Sequence, residues 1–378
     1  MAGTPEPALD PDERGTLSPG ALLDTDAFFA ELLNRIATAQ QRVLVQLMTF
    51  DGDAAGLPVA DALIAAAGRG VVVDLVVDCF ALRFVSDQSA TAPAVANEVA
   101  RTQRMFRALR DGGVTVQFTN PYGPTGWLYY MARNHKKIVV IDDTAYLGGV
   151  NVSDHNASWH DFMVRLTDPV LVEAVVADVL TTQEGRVVER TGPILTNGAI
   201  EATFDEMVTT AERRVVVASP YAVDRRLPGV LAASGAPERT LVLAPDQNYP
   251  YLELITPAIV KQLDELGVRT VTYRRFSHAK FLLADDRLLV GSSNFGRHSF
   301  WCNQEIGLII DDPAFVAHFV ATMLDDLVER EPEARWQQRA VGAVAAVAMD
   351  IGLRAYARVV VPRVPPLADF DTVVGGRP

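Results

Sequence analysis

One pattern occurs twice in this chain, and it restricts the possible folds more than any bulk property. The segment NHKKIVVID leads to GGVN, and 143 residues later SHAKFLLAD leads to GSSN. Both copies read H-x-K-x4-D followed by G-[GS]-x-N, with His and Asn sixteen residues apart. The copies comprise His135, Lys137, Asp142 and Asn151, then His278, Lys280, Asp285 and Asn294. The flanking elements repeat in the same order. In the first half a helix is predicted over 26–40, then a strand over 42–50, a helix over 58–68 and the strand VVVDLVVD. A helix over 95–110, VTVQFTN, three short strands and a helix from Pro169 complete it. The second half runs from a helix at 200–210 through RRVVVASPY, RTLVLAP, a helix within 252–266 and VRTVTYRR. It ends on three short strands and a helix over 313–329. Repetition at this period predicts a duplicated α/β architecture. The expected layout is a disordered leader (1–20), two similar lobes (21–190 and 191–334) and an amphipathic helix with tail (335–378).

The repeated residues suit phosphoryl chemistry. The His and Lys of each motif are expected to alternate on a strand, where positions i and i+2 face the same way, so each His lies beside its Lys. The neighbouring ammonium lowers the imidazole's proton affinity. A neutral imidazole can attack phosphorus, and a second, protonated one can deliver its proton to the leaving alkoxide. Lys137, Lys280, Asn151 and Asn294 supply donors where phosphoryl charge concentrates. Ser292 is a further phosphate-site candidate, ahead of Ser299. The two lysines carry the compensating charge, so no metal or other cofactor is expected. The grouping of His155, His160 and Asp161 does not match a metal-ligand spacing. Asp142 and Asp285 fall on the opposite face from each Lys and are expected to anchor loops. His298 and His318 show no partner in the sequence, and His318 is expected to be structural.

These motifs resemble the phospholipase D superfamily, whose members carry two H-x-K-x4-D motifs. RNHKKIVVID, YLGGVN, WHDFMV and GSSNFGRHSFWCNQE are most similar to the bacterial cardiolipin synthase branch. The resemblance spans residues 25–340. It implies two phospholipase D-like lobes related by a pseudo-two-fold axis, each a mixed parallel and antiparallel sheet flanked by helices. It also implies a phosphohistidine intermediate, with His135 as nucleophile and His278 as acid, although the symmetry of the motifs leaves that order open. Asp161 lies 26 residues after His135, and Glu305 lies 27 after His278. Each opens the strand after its G-[GS]-x-N turn, and the resemblance implies that these carboxylates orient the histidines. The implied substrate is a phospholipid such as phosphatidylglycerol. Hydrolysis by a soluble phospholipase D or other phosphodiesterase is one alternative, and an inactive lipid- or phosphate-binding protein is another.

The remaining features set the expected surroundings. Formal net charge is −13, with four lysines, and an acidic chain repels polyanions, so nucleic acid is not an expected partner. Cys79 and Cys302 lack metal-ligand spacing and are expected to be buried thiols in a reducing compartment. The first residues carry no basic start and no apolar run, so no signal peptide is expected. No spanning helix is expected either. The expected location is the cytoplasm, with peripheral attachment to the inner membrane face left open. The loop 121–133 carries Trp127, Tyr129 and Tyr130, as either a buried plug or an apolar rim to the site. The stretch 335–358 reads as an in-plane membrane helix, or as one packed on the domain or on a second chain. The Pro- and Gly-rich end is expected to be loosely ordered. The oligomeric state is open.

Overall fold

The computed structural model describes residues 19–85, 88–89, 95–123, 128–221, 224–245, 250–329 and 336–374. The predicted leader lies almost wholly outside them, as does Trp127. The first half comprises β1 (Ala21–Asp24), α1 (Thr25–Thr38), β2 (Arg42–Leu47), α2 (Gly56–Gly68), β3 (Val72–Asp78), and a short hairpin of β4 (Phe84–Val85) with β5 (Gln88–Ser89). It continues with α3 (Ala96–Asp111), β6 (Thr115–Thr119), β7 (Ile138–Ile141), β8 (Thr144–Gly148), α4 (Asp154–Ser158), β9 (Phe162–Leu166) and α5 (Pro169–Gln183). The second half comprises β10 (Ile194–Thr196), α6 (Gly198–Thr210), β11 (Arg214–Ala218), α7 (Leu227–Ala232), β12 (Glu238–Leu243), α8 (Pro250–Glu265) and β13 (Arg269–Tyr273). After these come β14 (Phe281–Ala284), β15 (Arg287–Gly291), α9 (Arg297–Cys302), β16 (Ile306–Ile310), α10 (Pro313–Met323) and β17 (Leu327–Glu329). The tail holds α11 (Trp336–Val359), β18 (Leu367–Ala368) and α12 (Phe370–Val374).

The duplication extends to the sheet order. One eight-stranded sheet runs β1-β9-β8-β7-β2-β3-β6-β18, and the other runs β10-β16-β15-β14-β11-β12-β13-β17. In each, the motif strand (β7 or β14) is central and antiparallel to its neighbours, while β2-β3-β6 and β11-β12-β13 pair in parallel. Parallel strands buried on both faces read as continuous aliphatic runs, as VVVDLVVD and RTLVLAP do. The helices α5 and α10 both follow an Asp-Pro step. Asp168 and Asp312 accept from the first-turn amides, and the proline occupies the first helical turn. These two helices lie in a core shared by both sheets, built from residues such as Leu147, Val175, Val290 and Phe319. Separate outer cores cover the other face of each sheet.

The lobes also meet through backbone bridges. His135 N donates to Gln304 O at 2.9 Å, and His278 N donates to His160 O at 2.9 Å. The bridges pair Asn134 with Gln304 and Ser277 with His160. Adding 143 to 134 gives 277, and adding 144 to 160 gives 304, so each bridge maps onto the other with its strands exchanged, as a two-fold axis requires.

Three sequence expectations are corrected. The helix predicted over 313–329 ends at Met323, and Leu327–Glu329 instead form the edge strand β17. Residues 367–374 are not loose, because β18 pairs with β6 and α12 packs against the first lobe through Phe370 and Val374, while 375–378 lie outside the described residues. The His-x-Lys runs are not inside strands. They are extended segments just ahead of β7 and β14, taken up by the bridges to the other lobe.

Alternation still holds along those segments. Lys136 points away from its neighbours and meets Asp178 of α5 at 2.8 Å, with both side chains buried. Removing one member strands the other charge inside the protein. Asp178→Ala is expected to lower the unfolding free energy by about 3 kcal/mol in urea denaturation.

Candidate active site

Both motif histidines line one cleft between the lobes, together with Asn151 and Asn294. The wall includes Met48, Phe80, Tyr130, Met131, Leu252 and Leu353, so it is apolar over much of its surface. Lys137 and Lys280 lie behind the histidines and are fully buried. Lys137 Nζ donates to the carbonyl of His135 at 2.6 Å, and Lys280 Nζ donates to that of His278. Burial lowers both ammonium pKa values, that of Lys137 to about 8.

The carboxylate counted from each histidine along the chain is not the one it meets. His135 Nδ1 lies 3.0 Å from Glu305 Oε2, and His278 Nδ1 lies 2.9 Å from Asp161 Oδ2. Each imidazole is therefore oriented by the opposite lobe. The bridges impose this crossing, since they set Gln304 beside His135 and His160 beside His278. A carboxylate on Nδ1 fixes the tautomer and leaves Nε2 to carry the lone pair.

The two pairs are not equivalent. Glu305 also accepts from Ser292 Oγ, and Asn303 Nδ2 lies 3.4 Å from its other oxygen. Burial pushes Glu305 upward, but His135, Lys137 and the Ser292 hydroxyl together hold it at about 2. Among the described residues no hydroxyl reaches the Asp161 carboxylate, and Gly149 stands where Ser292 stands in the other half. A Cβ on Gly149 would come within 2.3 Å of both Asp161 oxygens. Burial raises Asp161 to about 7, despite the opposing charges of Lys280 and Lys137. Burial also lowers both histidines, His135 to about 4 and His278 well below its usual value, and both lysines add to the effect. At neutral pH the cleft thus holds an ionised Glu305 behind a neutral His135.

Of the remaining candidates, Asn151 Oδ1 accepts from Thr49 N at 3.2 Å, while Asn294 Oδ1 is buried and makes no hydrogen bond among the described residues. Asp142 and Asp285 are far from the cleft chemistry. Asp142 accepts from the amides of Gln40, Gln41 and Arg42, and Asp285 from those of Glu212, Arg213 and Arg214. Each occupies a tight hairpin turn with φ near 50° and fastens the start of the adjacent antiparallel strand, β2 or β11. Tyr130 lines the cleft, and Tyr129 does not.

Several cleft residues were not foreseen. Trp159 sits 5.0 Å from the His278 ring and 4.7 Å from Phe276. Arg133, two residues before His135, forms a buried 2.8 Å ion pair with Asp78. His298, expected to be without a partner, donates to Met131 O at 2.9 Å and lines the cleft.

The chain matches the family described as "Cardiolipin synthase, PLD-like domain" over residues 32–180 and 205–327. The chain belongs to this family. Among curated relatives, it is 30% identical to cardiolipin synthase A of Pseudomonas entomophila (strain L48), over 78% of this chain and 65% of that protein. It is 25% identical to the major cardiolipin synthase ClsA of Bacillus subtilis (strain 168), over 79% of this chain and 67% of that one. The chain thus spans about two thirds of the length of these relatives. A phosphatidylserine synthase of Haemophilus influenzae Rd KW20 shares the fold, with a TM-score of 0.66 at 14% identity, covering 90% of this chain and 94% of that one. The conserved fold of this phospholipase D-like family matches the paired sheets described above. Among the described residues, Asp51, Asp53 and Glu98 form the one cluster with metal-ligand compactness, and none of the three lines the cleft. No helix among the described residues is long and apolar enough to cross a membrane.

Proposed function

We propose that the chain is a phosphatidyltransferase that moves a phosphatidyl group from one phospholipid to the alcohol of another through His135. One observation carries this reading: two imidazoles face one apolar-walled cleft, each held at Nδ1 by a carboxylate of the other lobe. His135 is assigned as the nucleophile because Glu305 is the more acidic carboxylate and holds the Nδ1 proton, leaving the Nε2 lone pair available. His135 attacks phosphorus, the P–O bond to the departing headgroup breaks, and His278 gives that oxygen a proton. The incoming phosphodiester anion counters the two lysines and restores the His278 proton that burial and the lysines disfavour. In the second half, the acceptor hydroxyl returns a proton to His278 and attacks phosphorus, and the P–N bond to His135 breaks. Asn151 and Asn294 line the cleft as donors, Lys137 and Lys280 supply positive charge from behind the histidines, and Ser292 acts through Glu305, to which its hydroxyl donates. With phosphatidylglycerol as both donor and acceptor, the products are a diphosphatidyl lipid and glycerol.

Incubation with phosphatidylglycerol in mixed micelles, followed by lipid analysis, tests this reading. It expects diphosphatidylglycerol and free glycerol in equal amounts. Phosphatidic acid in place of the diphosphatidyl product would mean that water is the acceptor, and no turnover at all would remove the reading.

The pH profile follows from the site. Below about 4, His135 takes a proton and loses its lone pair. Above about 8, Lys137 loses its charge. Since kcat/KM reports free-enzyme groups, that of a short-chain soluble substrate is expected to fall on the acid side near 4, and on the alkaline side first as His278 loses the proton it must donate, below the usual histidine range, and further above about 8. A profile still rising at pH 10 would contradict the role given to Lys137.

A further inference from the structure

The helix α11 has two faces with different neighbours. Its inner face packs on α8 and α9, with Ala346 and Leu353 buried, and it lends Met349, Asp350 and Leu353 to the cleft wall. Asp350 forms an ion pair with Arg297 of α9, and Tyr356 Oη donates to Leu128 O at 3.0 Å, which fastens the aromatic loop ahead of His135. Of the alternatives left open by the sequence, the inner face therefore packs on its own domain. The outer face carries Val341, Val344, Val347 and Ile351 at helical spacing, and their exposures are 56%, 71%, 37% and 63%. Residues 336–363 hold four arginines and a single acidic residue, on a chain whose net charge is −13. The single acid, Asp350, is turned inward and neutralised by Arg297.

We propose that the outer face of α11 docks on an anionic phospholipid bilayer, so that the helix lies in the interface plane while its inner face walls the cleft. An apolar stripe followed at its C-terminal end by Arg358 and Arg363 matches that surface in both hydrophobicity and charge, while Arg354 is taken up by Asp350 and the Trp301 ring. The helix that meets the lipid is the same helix that shapes the cleft and holds the rim loop. This deepens the phosphatidyltransferase reading by naming the surface from which substrate enters, but vesicle binding does not depend on that reading.

The test uses the full chain and its Val344→Glu/Ile351→Glu variant. Both substituted residues are exposed, and thermal melting confirms that the variant folds. Wild type is expected to sediment with vesicles containing phosphatidylglycerol and more weakly with pure phosphatidylcholine vesicles. The variant is expected to lose at least about tenfold in vesicle affinity. Turnover of bilayer phosphatidylglycerol should fall in parallel, while turnover of a monomeric short-chain analogue stays within about twofold. Arg358→Glu/Arg363→Glu is expected to weaken only the binding to anionic vesicles. Unchanged vesicle affinity in the double-glutamate variant would overturn the proposal. So would a wild-type dimer, seen by light scattering, that the variant converts to monomer, since the stripe would then bury a second copy. Absence of turnover on both substrates, with vesicle binding lost as described, would refute the transferase reading and leave the docking surface standing.

Discussion

His135→Ala is expected to reduce turnover of micellar phosphatidylglycerol by roughly 10⁴-fold or more, which leaves only the contribution of binding and the surrounding donors. The loss should be in kcat, because the imbalance lies in forming the P–N bond and not in holding the lipid. The fold should survive. His135 is buried, but it is held by its backbone bridge to Gln304 and by a single side-chain bond to Glu305. Folding can be verified by an unchanged circular dichroism spectrum alongside the activity assay. Retention of a tenth of wild-type turnover would mean that the attacking group is elsewhere.

Glu305→Gln is expected to cost about 10³-fold, with a signature that depends on the crossed pairing. The amide preserves the shape, but it cannot carry the negative charge that fixes the His135 tautomer and stabilises the imidazole as it bonds to phosphorus. Ser292 Oγ and Asn303 Nδ2 would lose their charged acceptor as well. Formation of the phosphoenzyme should therefore be slowed directly. Asp161→Asn acts on His278 instead, so phosphoenzyme formation from a substrate with a good leaving group should persist while transfer to the acceptor slows. Rapid-quench measurement of the two half-reactions separates the variants. If Glu305→Gln slowed only the second half-reaction, the assignment of nucleophile and acid would be reversed.

Much of the architecture was legible in the sequence because duplication made each half a check on the other. The aliphatic runs gave the parallel strands, and the Asp-Pro steps gave the starts of α5 and α10. The roles of Asp142 and Asp285 as loop anchors followed from their position opposite the lysines. The crossing of Asp161 and Glu305 was not legible, since chain separation cannot reveal that the segment ahead of each carboxylate bridges to the histidine segment of the other lobe. Nor was the asymmetry of the two halves, which lies in Gly149 against Ser292, in Asp161 against Glu305 and in the added contact of Asn303 with Glu305. The packing of α11 depends on close approach at Gly342, where a Cβ would fall 2.2 Å from Leu254 O. Periodicity alone left open whether that helix lies in a membrane interface, packs on its own domain or packs on a second chain. The strand β18 is only two residues long and follows a proline pair, so no local pattern marks it.

The central claim is that imidazoles from two lobes share one phosphorus. The most direct measurement is mass spectrometry of His278→Ala enzyme quenched during reaction with a phosphatidyl ester of 4-nitrophenol, whose leaving group needs no proton. The account predicts a stoichiometric phosphatidyl adduct on His135, abolished in the His135→Ala/His278→Ala double variant. Release of 4-nitrophenol without any histidine adduct, or an adduct on a residue outside the cleft, would contradict it.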